Sequence, residues 1–210
     1  MKCSPSIAVS AAALVCLPAI AAAQAPQASQ AAPASSGALM APVHQVAAAV
    51  AAAPAELRDG AAVLGYHEKG KLVTLREGTN DMVCLAPDPA RPDFHVACYH
   101  KALEPFMARG RSLRAEGVKG EQVDTARFKE IKDGKLKMPS TPSALYTLTG
   151  PAGSYDQATH KVTGARWLYV VYIPGATTAS TGLTEKAAPG VPWIMFPGTP
   201  KAHIMFFTGM

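Results

Sequence analysis

The 210-residue sequence has no Gly-x-Gly-x-x-Gly fingerprint, no Walker loop and no Gly-x-Ser-x-Gly elbow. The first two absences remove the common nucleotide cradles, and the third removes the usual serine-hydrolase turn. No row of stacking aromatics accompanies the basic residues, which argues against nucleic acid as a partner. Beyond residue 23 there is no long apolar run, so no permanent membrane anchor is expected.

What is present begins with a leader. Lys2 precedes an apolar run from Ile7 to Ala23, broken by Ser10 and Pro18, and Ala21, Ala22 and Ala23 place small residues before Gln24. This is the pattern of a secretory signal peptide over 1–23. Ala13, Leu14 and Val15 before Cys16 depart from a lipidation site. Cleavage removes Cys3 and Cys16 and leaves Cys84 and Cys98 as an even pair in an oxidising compartment, periplasmic or extracellular. The pairing favoured on those grounds is a disulfide, with two free buried thiols or a zinc pair with a histidine as the alternatives.

Lys and Arg number 20 against 15 Asp and Glu, a net charge of +5. Residues 101–137 hold ten of the basic residues and six of the acids, interspersed as on a solvated helix face.

Residues 24–54 are almost wholly Ala, Pro, Gln, Ser and Val, and read as a disordered tether with a helix allowed over Val43–Ala53. A single globular domain is expected over 55–210. Within it, Ala61–Gly65 and Leu72–Leu75 flank a turn and read as a hairpin. Cys84 and Cys98 lie in apolar runs, Met82–Ala86 and Phe94–Tyr99, separated by a loop with three prolines. A meander of three or four antiparallel strands follows from that order. Leu103, Phe106, Met107, Gly110 and Leu113 then recur at helical spacing, and a second helix over Gln122–Lys132 buries Val123, Phe128 and Ile131. Strand signals return at Ala144–Thr149, Arg166–Ile173, Trp193–Phe196 and His203–Phe207, the last two reading as a buried central pair. Strands, helices and strands in that order define an α+β fold with a mainly antiparallel sheet on one or two helices.

Certain motifs are familiar: Leu57-Arg58-Asp59-Gly60-Ala61, Leu75-Arg76-Glu77-Gly78-Thr79-Asn80, the Pro-Asp-Pro loop between the cysteines, and the segment from Pro192 to Phe206 with its Gly-Thr-Pro-Lys-Ala-His-Ile-Met run. In these the chain resembles an uncharacterised family of exported bacterial proteins. The resemblance implies export and a single domain, and it supplies no catalytic residue.

The candidate chemistry is sparse. His95 and His100 flank Cys98, and His203 lies near Met195 and Met205, so copper or zinc would be the metal if these histidines converge. A hydrolytic site would instead pair His203 with Asp81 or Glu77 and use Thr79 or Thr199. Arg76 with Thr79 and Asn80 forms a third candidate, a turn able to grip a small carboxylate. The composite expectation is a binding or structural domain of the cell envelope, taking a small ligand or an envelope component, with a metal-dependent or hydrolytic enzyme as the alternative.

Overall fold

Pro42, with its fixed φ and missing amide, opens the first helix, α1 (Pro42–Val50). The computed structural model describes residues 39–68 and 70–207; the expected leader at 1–23 and the early tether at 24–38 lie outside them. Alanine dominates α1 and the turn after it, and Ala48, Ala49, Ala52 and Ala53 are wholly buried. Such small side chains let a helix backbone come close to a sheet.

One polar residue locks the helix in place. Gln45 is buried, its amide nitrogen donating to the carbonyls of Met40 and Tyr66, both at 2.8 Å, while its oxygen accepts from the Tyr66 amide at 2.8 Å. Thus Gln45 takes up main-chain groups that a neighbouring strand would otherwise satisfy. The packed body therefore reaches back to about Met40, and the start expected at Ala55 falls inside it. Composition misleads here because an alanine run reads as low complexity, although its size is what the packing requires.

The sheet has eight strands: β1 (Ala62–Glu68), β2 (Lys71–Arg76), β3 (Met82–Leu85), β4 (Phe94–His100), β5 (Ser143–Gly150), β8 (Arg166–Tyr172), β9 (Trp193–Met195) and β10 (His203–Phe207). Its order is β2-β1-β3-β4-β5-β8-β10-β9, and the missing numbers, β6 (Tyr155–Asp156) and β7 (Lys161–Val162), form a small separate hairpin. Every pairing in the large sheet is antiparallel except β1 with β3. The fold is α+β, as expected, but the start is not a simple meander. After β2 the chain folds back over the segment before β1, where the amides of Thr79 and Asn80 donate to the Gly60 carbonyl at 2.8 and 3.0 Å. That return delivers β3 to the far side of β1, running parallel to it.

Period-two alternation then sorts the strands onto two faces. Val63, Met82, Cys84, Val96, Cys98 and Leu148 join the alanines of α1. Tyr99, Val170 and Tyr172 face the other way and meet Leu103 and Phe106 at the start of α2 (Glu104–Ala115), with Phe128 and Ile131 of α3 (Gln122–Lys132) beside them. The sheet is thus covered on both sides. Cys84 and Cys98 stand directly opposite across β3 and β4, their sulfurs at a bonding distance of 2.04 Å.

At the other end the C-terminal pair differs from expectation. β9 is the edge of the sheet and β10 its neighbour, so Trp193 and Ile194 are buried while Phe196 and Phe207 stay exposed. The helical turn α4 (Thr178–Thr181) interrupts the preceding loop, with Thr177 and Ser180 capping one another.

Candidate functional site

The residues singled out by sequence are dispersed by the fold. His95 lies in register with Thr149, whereas His203 pairs through Tyr172 with Ser143, at the other end of β5. Six residues of strand place these two rows about 20 Å apart. Each ring is also occupied: His95 Nδ1 is 2.7 Å from the Thr149 hydroxyl, and His203 Nδ1 is 2.6 Å from the Lys201 carbonyl. Burial holds both imidazoles below their ordinary pKa. His100 caps the turn that follows β4, its Nδ1 accepting from the Ala102 amide at 3.2 Å. The geometry does not bring the three histidines together.

Nor does it assemble the hydrolytic set, because His203 on β10 is four strands from β3, and Asp81 beside β3 is paired with Lys101 at 2.6 Å. Arg76, Thr79 and Asn80 do meet, but they hold main chain. Arg76 donates to the carbonyls of Ala61 (3.0 Å) and Arg58 (2.5 Å), and Asn80 to that of Leu57 (2.8 Å). Arg58 in turn donates to the carbonyls of Ala53 (2.9 Å) and Ala51 (3.3 Å) in the turn that ends α1. The two familiar motifs are therefore the two halves of one clamp, which fixes α1 to the start of the sheet.

A different set of residues surrounds a cleft of about 300 Å³ between the sheet and α2, a volume at the small end for ligand sites. Its floor is apolar, from Leu85, Ala97 and Leu145 on neighbouring strands together with Met107. Its walls carry Arg111, Arg114, Arg127 and Lys201 beside the rings of Tyr99 and Tyr172.

These cations come from three places. Arg111 and Arg114 lie one turn apart on α2, Arg127 comes from α3, and Lys201 precedes β10. Two carboxylates partly balance them. Arg111 donates to the Tyr99 hydroxyl at 2.9 Å and to Glu104 at 2.5 Å, and Tyr99 also bonds Glu104. Burial opposes the charge on Arg111, but Tyr99 and Glu104 outweigh it and raise its pKa. Asp124 is shared between Arg127 and Lys201, the latter at 2.8 Å. Its burial is more than offset by those two donors, which hold the carboxyl below its ordinary pKa. Arg114 has no carboxylate partner among the described residues.

Arg127 is the unusual member, being only 4% exposed. Its guanidinium lies 3.7 Å from the centroid of the Phe106 ring and donates to the Phe106 carbonyl at 3.1 Å. Its Nε has no hydrogen-bond partner among the described residues. A signal for it was in the sequence, since Val123, Arg127 and Ile131 are spaced by four and share one helix face. The interspersed charges of 101–137 suit a solvated helix face, and the expected burial of Val123, Phe128 and Ile131 does not by itself include the arginine that lies between them.

The opposite face carries a second cleft, of about 350 Å³, beside Arg58, Trp167, His160 and Lys161. His160 sits at φ +56° with its ring 5.4 Å from that of His44 and 6.2 Å from that of Tyr155. Arg58 there is already committed to α1, so this cleft offers less unspent charge. No protein-family model, curated protein or solved structure matches the chain. Among the described residues no helix is long and apolar enough to cross a membrane.

Proposed function

We propose that this is an exported binding domain of the cell envelope, which takes a small organic anion with an apolar body into the cleft between the sheet and α2. One observation carries the reading: an apolar floor of Leu85, Ala97, Leu145 and Met107 lies under four cations that share two carboxylates, Glu104 and Asp124, with Arg114 paired to neither. An apolar surface with a few convergent charged groups is the usual make-up of a small-ligand site. Export is supported by the leader pattern at 1–23 and by the bonded Cys84–Cys98 pair, which persists in an oxidising compartment.

Thermal melts test the binding role. Hexanoate, benzoate and hexyl phosphate at matched ionic strength are expected to raise Tm relative to chloride, because a ligand of the native state stabilises it by mass action. Leu145→Glu, which sets a carboxylate in the floor, should abolish the rise. Indifference of the wild-type protein to all three anions would remove the reading. Recovery of a periplasmic protein whose first residue is near Gln24 tests export.

A further inference from the structure

We propose that the head group recognised in this cleft is a phosphate monoester on a short apolar chain, its phosphoryl oxygens held by Arg114 and Arg127 over Gly110. The inference rests on the binding role above and narrows it to one ligand class.

Gly110 is where the two arginines meet. A Cβ at that position would stand 2.8 Å from Arg127 Nη1 and 3.3 Å from Arg114 Nη1, so both guanidinium groups converge on a single point of α2. Like charges so placed repel unless an anion joins them. Asp124 does this poorly, since it is already divided between Arg127 and Lys201. The guanidinium of Arg127 is not fully satisfied by the protein, since its buried Nε has no partner among the described residues, and such an unmet donor is costly.

Charge, shape and volume choose among anions. Four cations against two carboxylates leave two positive charges around the cleft. A phosphate monoester carries about −1.5 to −2 at neutral pH and matches that excess, whereas a monocarboxylate meets half of it. Its three terminal oxygens can also serve two guanidinium forks together, while the two coplanar oxygens of a carboxylate suit one fork. At about 30 Å³ per heavy atom, the volume of a liquid water, the cleft holds about ten atoms. That is a phosphate and a chain of five or six carbons, which would lie along Leu145 and Met107.

Calorimetric titration of the whole protein with hexyl phosphate, hexanoate and inorganic phosphate tests this. Hexyl phosphate is expected to bind about tenfold or more tightly than either of the others, the difference one charge-assisted hydrogen bond makes. Arg114 is exposed, so Arg114→Ala should melt like the wild type while losing that tenfold preference over hexanoate. Equal affinity for hexanoate and hexyl phosphate in the wild type would overturn the head-group assignment and leave the binding role standing. Failure of every anion to bind would overturn both. Undiminished hexyl phosphate binding by Arg114→Ala would overturn the clamp. Co-sedimentation with phosphatidic acid vesicles, but not with phosphatidylglycerol vesicles, would support the proposal with a lipid as the source. Binding of hexyl phosphate without co-sedimentation would support it with a soluble ester.

Discussion

Ala49 of α1 lies against the Cys84–Cys98 bridge, its carbonyl oxygen 3.3 Å from the Cys98 sulfur. The helix thus seals the cross-link from solvent. Closing a loop of about 15 residues stabilises the fold by about 3 kcal/mol in the chain-entropy model. Cys84→Ser with Cys98→Ser should therefore lower Tm by on the order of 10 °C for a domain of this size. Calorimetry of the oxidised protein and of the double variant measures it, and equal midpoints would refute the contribution.

Because α1 is core, the point at which the chain starts is decisive. Protein begun at Leu39 is expected to melt cooperatively, and protein begun at Ala55 to lose its fixed near-UV circular dichroism. Within the intact chain, Gln45→Ala leaves the Tyr66 amide and carbonyl unpaired in a buried place, at about 1–3 kcal/mol for each group. Urea midpoints would measure the loss, and an unchanged midpoint would remove the clamping role of Gln45.

Two glycines separate steric need from helix propensity. In a solvent-facing helix, Gly→Ala would gain about 1 kcal/mol. Gly110→Ala is expected to give no such gain, since its methyl would press on Arg127 Nη1 at 2.8 Å, and it should weaken anion binding. Gly78→Ala is worse: its Cβ would stand 2.7 Å from the backbone nitrogen of Ala62, which cannot yield, and about 2 kcal/mol or more of stability should be lost. A Gly110→Ala protein more stable than the wild type would contradict the packing over α2.

Alkali provides a further test. Burial pushes the Tyr172 phenol up to about 12, and burial, with the Asp88 charge adding to it, does the same for Tyr66. Both are raised above the unfolded value of about 10, so the stability they contribute is fully present below pH 10 and is lost as pH rises toward 12. Phenolate absorbance at 295 nm should show these tyrosines titrating late, and Tyr172→Phe should flatten the alkaline fall in unfolding free energy. Titration of every tyrosine near pH 10 would count against the buried placement of Tyr172.

Much of this protein was legible in its local patterns. Helical spacing marked α2 and α3, β-branched and aromatic runs marked β4, β5, β8 and β10, and the prolines marked the loop between the cysteines. These elements follow from periodicity and backbone restriction, which act within a few residues. The oxidising context of an even cysteine pair pointed to Cys84 with Cys98, and the fold places them opposite one another.

What local pattern did not contain was which faces meet. A helix over Val43–Ala53 is legible from its alanines, but its place in the core is not, because a small residue carries little apolar signal of its own and only the sheet opposite makes that smallness a fit. Arg76, Thr79 and Asn80 were recognised as a cluster, yet whether their donors point to a ligand or to the carbonyls of Leu57, Arg58 and Ala61 depends on where two distant turns cross. The cleft was the least visible feature, since Leu145, Arg111, Arg127 and Lys201 come from four parts of the chain. Local spacing and composition were enough for most of the elements, the charge and the cysteine pair. Tertiary structure alone decided that a buried arginine on α3 and an exposed one on α2 share the space above a glycine, because that contact depends on how two helices cross and on no spacing within either.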